Sequence, residues 1–239
     1  MNNVNLLPQT KTYEQLSFAF IAPYFCYVLL NILNDFFALW IVYVIKIIVV
    51  GSLLVFTRYS FNKIHLRDIL YGFVLAPFLL LLWIVPYYTF FNITDSFPKQ
   101  TLATIANPEF YWILRTLASV ILVAIFEELF FRVYLLEFLF QAQQNKHTSI
   151  IDKCGDTLNN KPQDLKVLPL NKYSIIGTIF LFTLGHSVSE YISCILYFSI
   201  TLVIYKYLRS LWVCIIIHAL TNLGIAVLVK YWGMNFLWF

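Results

Sequence analysis

The chain carries the stretch Phe126-Glu127-Glu128-Leu129-Phe130-Phe131-Arg132 in the middle of a largely apolar segment, residues 110–140. An ionisable group at membrane depth costs at least ~2.5–3.5 kcal/mol on insertion scales. Packing alone gives no reason to place two adjacent carboxylates in such a segment. We therefore predict a buried reaction centre here, with its other groups supplied by the rest of the chain.

The composition is that of a membrane protein. Of the 239 residues, 61% are hydrophobic and 12% are charged, and the mean hydropathy is +0.77. Soluble domains average roughly 45–50% apolar and about 25% charged residues. The sequence thus predicts an all-α, polytopic membrane helix bundle. The net charge of +4 does not indicate a nucleic-acid partner, because basic residues of membrane proteins collect in cytoplasmic loops.

Seven apolar segments have the length of a membrane-spanning helix, which needs about 20 residues. They are residues 16–33, 36–57, 69–91, 110–140, 173–188, 191–208 and 211–232. At about 1.5 Å per residue the fourth would cover ~46 Å, against a hydrocarbon core of ~30 Å. We expect this helix to be kinked, strongly tilted or extended beyond the membrane.

The distribution of basic residues predicts the orientation. With the N-terminus in the cytoplasm, twelve Lys and Arg residues lie on the cytoplasmic side and three on the outer side, and Lys46 lies within a span. This asymmetry follows the positive-inside rule. The small size of the chain favours a prokaryotic plasma membrane.

We divide the sequence into three regions. Residues 1–108 contain the first three helices, residues 109–232 form a catalytic core with the last four, and residues 233–239 are a tail. A polar cytoplasmic loop, residues 141–172, interrupts the core.

Strong polar groups within the spans are few: Lys46, Arg115, Glu127, Glu128, Arg132, His186, His218 and Asn222. Depth can be counted at ~1.5 Å per residue from the predicted cytoplasmic boundary. Four members of this set then fall in one slab of the membrane, ~14–20 Å deep. The members of that slab are Glu127, His186, His218 and Asn222, from three different spans. We expect them to converge on one polar cavity.

Spacing along the fourth helix suggests different roles for its charges. Glu128 and Arg132 are four residues apart on one face, so Arg132 can neutralise Glu128. Glu127 then lies about 100° round the helix and can face the cavity. Lys46 is expected to point at a polar neighbour or to reach the interface, and Arg115 to anchor its helix at the outer interface.

The constellation suggests activation of water. A carboxylate shielded from bulk water is suited to act as a general base, and a histidine can assist the proton transfer. Asn222 and a second histidine can donate hydrogen bonds to the oxyanion that forms at an attacked carbonyl. Alternatively, Glu127, His186 and His218 could bind Zn²⁺, since two His and one Glu form a known catalytic zinc set. The sequence leaves both readings open.

Three motifs resemble the signature of the CAAX-protease and bacteriocin-processing family, also called the Abi family of intramembrane proteases. These motifs are Glu127-Glu128-x-x-x-Arg132, Phe182-x-x-x-His186 and His218-x-x-x-Asn222. The resemblance covers residues 110–228. Its eukaryotic relative is the Ras-converting prenyl-protein endopeptidase.

The resemblance implies an endopeptidase that acts on a membrane-associated protein or peptide at a cavity open to the cytoplasmic leaflet. It implies that Glu127 activates water, that His186, His218 and Asn222 complete the site, and that Glu128 and Arg132 support it. Whether the mechanism is glutamic or metal-dependent stays open. The alternative is a non-proteolytic bacteriocin-immunity factor or a carrier of small solutes or protons, because buried Glu and His also mark proton relays.

Overall fold

The computed structural model describes residues 13–57, 63–90, 102–144 and 170–238, with the side chains of 13–19 and 141 left out. Within these ranges the chain forms seven long helices and no strand. They are α1 (Tyr13–Leu29), α2 (Leu39–Thr57), α3 (Leu66–Phe90), α4 (108–144), α5 (Lys172–Leu184), α6 (Tyr191–Leu208) and α7 (Leu211–Trp232).

Four helical segments of the described chain are long and apolar enough to cross a membrane: Leu39–Phe56, Leu66–Phe90, Val188–Leu208 and Leu211–Trp232. The apolar helices Phe20–Asp35 and Lys172–Leu184 are shorter. The predicted all-α membrane bundle is therefore confirmed. That every one of the seven helices crosses the bilayer stays a prediction, as does the cytoplasmic N-terminus.

α4 is a continuous helix with two π-helical segments, Ala118–Val123 and Glu128–Leu135. In a π-helix the hydrogen bonds run from residue i to i+5, which widens the turn and is a common cause of kinks. The fourth predicted span thus has the irregularity that its length suggested. Both π segments adjoin the residues of the predicted reaction centre.

The fifth predicted span, residues 173–188, is too long. α5 ends at Leu184, with Gly185 as its C-cap, and Ser187 is extended, with φ −69° and ψ 151°. Ser187 begins a capping box in which its own N–H donates to Glu190 Oε2 at 2.9 Å. An extended residue cannot continue a helix, so His186 lies in the turn after α5 and not on its face.

The centre of the bundle is the packing of α3 against α7, which is close because of two glycines. A Cβ atom added to Gly224 would collide with the Leu80 side chain, and one added to Gly72 would collide with Ile216. Small residues let membrane helices approach in this way. α3 also packs against α6, and α2 against the first part of α4.

The predicted tail folds back onto the bundle. Asn235–Leu237 form a short 3₁₀ turn, and Leu237 is buried. The Asn235 side chain accepts a hydrogen bond from Leu102 N–H at 3.1 Å. The described part of the tail is therefore a structural element of the bundle. Most of the predicted loop 141–172 lies outside the described residues.

Candidate active site

The four residues predicted to converge line one cavity of about 410 Å³: Glu127, His186, His218 and Asn222. They come from α4, the turn after α5, and α7. Binding pockets for small ligands commonly enclose ~300–1,000 Å³. The structure thus brings these side chains together around a space of suitable size.

Arg132 forms the buried support of the site. It pairs with Glu128 through Nε and Oε2, and its Nη2 donates to Thr201 Oγ1 on α6 at 3.0 Å. The guanidinium also lies 4.8 Å from the centre of the Phe198 ring. Since Arg132 is only 1% exposed and Glu128 only 4%, each charge depends on the other for compensation.

His218 lies between the two adjacent carboxylates. Its Nδ1 is 3.3 Å from Glu128 Oε1, and its Nε2 is 3.8 Å from Glu127 Oε2. A carboxylate oxygen accepts, so Nδ1 donates to Glu128 and Nε2 faces Glu127. The 3.8 Å separation is too long for a direct hydrogen bond, and a separation of this kind can be bridged by water.

Asn222 lies one turn after His218 on α7. Its Nδ2 donates to the backbone carbonyl of Ser119 at 2.8 Å. Ser119 belongs to the first π segment, Ala118–Val123. The contact orients the Asn222 amide and leaves it a second hydrogen, because an amide nitrogen carries two.

His186 is held at the end of α5. Its Nδ1 lies 2.8 Å from the Phe182 carbonyl, which can only accept, so Nδ1 carries a hydrogen. In the neutral ring Nε2 then has a free lone pair. The imidazole packs at 4.6 Å from the Phe182 ring and 5.8 Å from the Trp83 ring, measured between centroids.

The predicted zinc set is not assembled in this arrangement. In the part of the chain that the structure describes, no three His, Cys, Asp or Glu side chains are placed to hold one metal ion. Glu127, His186 and His218 share the cavity but do not form a ready ligand set. Zinc therefore stays a prediction from the sequence.

Glu190, a second carboxylate on the cavity wall beside Glu127, was not predicted from the sequence. Two patterns could have indicated it. Ser187-x-x-Glu190 before an apolar run predicts a capping box, and Glu190 follows His186 by four residues. No sequence pattern indicated the hydrogen bond from Asn222 to the Ser119 carbonyl, because that contact depends on the π segment.

Lys46 and Arg115 also line the cavity. Lys46 donates to Asn31 Oδ1 at 2.7 Å, so it does point at a polar neighbour. Arg115 donates to the Tyr111 hydroxyl at 2.6 Å and to the Trp238 carbonyl at 3.0 Å. Arg115 therefore turns into the bundle, contrary to the expectation that it would anchor α4 at the outer interface.

A family model described as Type II CAAX prenyl endopeptidase Rce1-like matches residues 109–224. Searches of the curated proteins and of the solved structures found no match. The matched segment contains all three motifs and the four cavity residues from α4, the α5 turn and α7. The family implies a protease of the CAAX type that acts in a membrane. Residues 109–224 thus match the Rce1-like family of type II CAAX prenyl endopeptidases, in agreement with the resemblance carried by the three motifs.

Proposed function

We propose that this protein is an intramembrane endopeptidase that hydrolyses a peptide bond of a membrane-associated protein or peptide. One observation carries the proposal: Glu127 Oε2 and His218 Nε2 face each other at 3.8 Å on the wall of the cavity. This spacing suits a water molecule that contacts both groups. The family match adds the reaction class.

In the first step, Glu127 acts as general base and takes a proton from this water. The oxygen of the water attacks the carbonyl carbon of the scissile peptide bond and forms a tetrahedral oxyanion. General base catalysis of this kind contributes ~10²–10⁴-fold. Arg132 neutralises the charge of Glu128, which leaves Glu127 as the reactive carboxylate.

The oxyanion is stabilised from α7. The second Nδ2 hydrogen of Asn222 donates to it, and protonated His218 donates from Nε2 while Nδ1 stays bonded to Glu128. Donors that are fixed before the reaction are effective because they need no reorganisation. The Ser119 carbonyl holds the Asn222 amide in place, at 2.8 Å.

In the second step, the carbon–nitrogen bond breaks and the leaving amine needs one proton. Glu127 returns the proton that it took from water, and His186 relays it through the lone pair on Nε2. The carboxylate of Glu127 is thereby restored. The two products are a carboxylic acid and an amine, so atoms and protons balance.

The proposed active site uses side chains from both predicted regions of the bundle. The reacting groups lie in the core, residues 109–232, and the region 1–108 completes the cavity wall through residues such as Tyr27, Lys46 and Trp83. We place the N-terminus in the cytoplasm on the distribution of basic residues.

The test is the variant Glu127→Gln, which keeps the shape of the side chain and removes the base. Membranes containing the wild-type protein or the variant are compared by mass spectrometry for new protein N-termini. We expect the cleavage rate to fall ~10²–10⁴-fold. Glu109→Gln is the matched control, since Glu109 is an exposed carboxylate that pairs with Lys230. Cleavage by Glu127→Gln at the wild-type rate would end the assignment.

A zinc chelator separates the two predicted mechanisms. With Glu127 acting through water alone, a strong chelator should leave the cleavage rate unchanged. Loss of activity that added Zn²⁺ restores would replace this mechanism by the metal alternative. Flux of protons or solutes in vesicles, without any peptide cleavage, would instead favour a carrier.

A further inference from the structure

The cavity of about 410 Å³ has a second chemical character away from the reacting carboxylate. We call this part the cationic end and define it by Tyr27, Asn31, Tyr43, Lys46 and Arg115, all of which line the cavity. The reaction proposed above uses none of these residues.

Lys46 is the central group of the cationic end. It is only 2% exposed, although an ammonium group is strongly hydrated. Its contacts are the Asn31 amide oxygen at 2.7 Å and the faces of the Tyr27 and Tyr43 rings, at 4.5 and 4.7 Å from the centroids. No carboxylate of the described residues pairs with Lys46. A buried charge normally has such a partner.

Arg115 adds a second positive charge to the same wall. It comes from α4, whereas Lys46 comes from α2. The two positive charges repel each other. The Tyr111 hydroxyl and the Trp238 carbonyl accept hydrogen bonds from the guanidinium and fix its position. Two converging cations of different helices make a site that attracts a negative group.

We propose that the cationic end binds a carboxylate of the substrate while the peptide bond lies at Glu127. This inference rests on the proposed function, which makes the occupant a peptide. A peptide offers one anionic group of this kind, the carboxylate, either at its C-terminus or on an acidic side chain. The ammonium group of Lys46 donates to it, and Arg115 adds charge.

The test compares ligands before it compares variants. A dansyl-labelled tripeptide of aliphatic residues is prepared as the free acid, as the C-terminal amide, and as an amide whose last residue is glutamate. Binding to the intact protein in detergent micelles is measured by fluorescence. We expect the plain amide to bind at least ~30-fold more weakly than the free acid, because it leaves a buried charge without its partner.

The glutamate-bearing amide distinguishes the two sources of the carboxylate. Binding as tight as that of the free acid means that a side-chain carboxylate also serves. Binding as weak as that of the plain amide restricts the subsite to the C-terminus. Equal binding of all three peptides, undetectable binding included, overturns the proposal.

Variants assign the effect to Lys46. In Lys46→Gln the preference for the acid should disappear, and in Lys46→Arg it should persist. Lys206→Gln is the matched control, because Lys206 is an exposed lysine on α6. A merely structural role for Lys46 would weaken the binding of acid and amide alike, and that result also overturns the proposal.

The binding assay tests the anion subsite and the cleavage assay tests the hydrolase, so either proposal can be overturned without the other. If acid and amide bind equally while Glu127-dependent cleavage persists, the subsite is wrong and the hydrolase stands. If the acid is preferred while no peptide bond is ever cleaved, the hydrolase is wrong and the anion site stands.

Discussion

The two ends of the cavity treat buried charge in different ways. Around Glu128, the arginine on the next turn, a threonine of α6 and an imidazole of α7 all lie within contact distance of the charged groups. At the cationic end, Lys46 rests on an amide oxygen and two tyrosine rings. In the first arrangement each charge contacts an opposite charge, although Arg132 Nη1 has no hydrogen-bond partner within the described part of the chain. In the second, no carboxylate of the described residues pairs with Lys46, which leaves a place for an anion. The comparison separates charges that hold the fold from charges that hold a ligand.

The largest effect is expected at the paired end, from Arg132→Met. This change leaves Glu128 as a buried carboxylate without its cation, which typically costs ~3–5 kcal/mol of unfolding free energy. Unfolding by SDS titration in mixed micelles measures it. The double variant Arg132→Met with Glu128→Leu should recover most of the loss, since an apolar pair of similar volume is often neutral. A loss below about 1 kcal/mol in the single variant would contradict the role of the pair.

Asn222→Ala should lower kcat more than the corresponding change of Asn31. Removing one oxyanion donor typically lowers kcat by ~10²–10³, or ~2.7–4 kcal/mol. Asn31→Ala is the matched control at the cationic end, and it should leave kcat within a few-fold of wild type while raising KM. Similar kcat values for the two variants would remove the distinction between the ends.

Thr201→Val tests the link from the Glu128–Arg132 pair to α6. Valine has a similar shape but cannot accept the hydrogen bond from Arg132 Nη2, which is 3.0 Å long. A buried donor left without its acceptor costs ~1–3 kcal/mol. The same SDS titration applies, with Thr89→Val as control, because the exposed Thr89 hydroxyl bonds only to carbonyls of its own helix. Equal effects of the two variants would argue against the link.

The smallest effect on stability is expected from Lys46→Met. No described carboxylate would be left unpaired, so the free energy of unfolding should change by less than about 1 kcal/mol. A loss of ~3–5 kcal/mol, as expected for Arg132→Met, would mean that Lys46 belongs to the fold and not to a ligand site.

The sequence predicted the helices well where apolar length decides the outcome. α6 and α7 have the predicted bounds, and α2 and α3 differ from them by at most three residues. The convergence of Glu127, His186, His218 and Asn222 on one cavity was also predictable. Polar groups that are costly to expose to hydrocarbon face the interior of the bundle, so those at one depth are expected to lie close together.

The remaining features depend on packing between helices that no sequence spacing encodes. Arg115 has a polar partner because the chain after α7 brings the Trp238 carbonyl back to α4. The sequence predicts a helix through His186 because Gly185 and Ser187, within an apolar run, give no clear signal that the helix ends. The pairing of α2 with α4, which brings Lys46 to the cavity, involves residues far apart in the sequence.

The first π segment has a consequence for the geometry of the whole cavity. In a regular α-helix, twelve steps of ~100° would place Arg115 and Glu127 about 120° apart round the axis. If the π segment accommodates one extra residue without advancing the turn, the same residues lie only about 20° apart. One inserted residue thus puts both on a single stripe of α4. If Ala118–Val123 were regular α-helix with every residue kept, Arg115 and Glu127 would lie on different sides of α4 although no functional group had been removed.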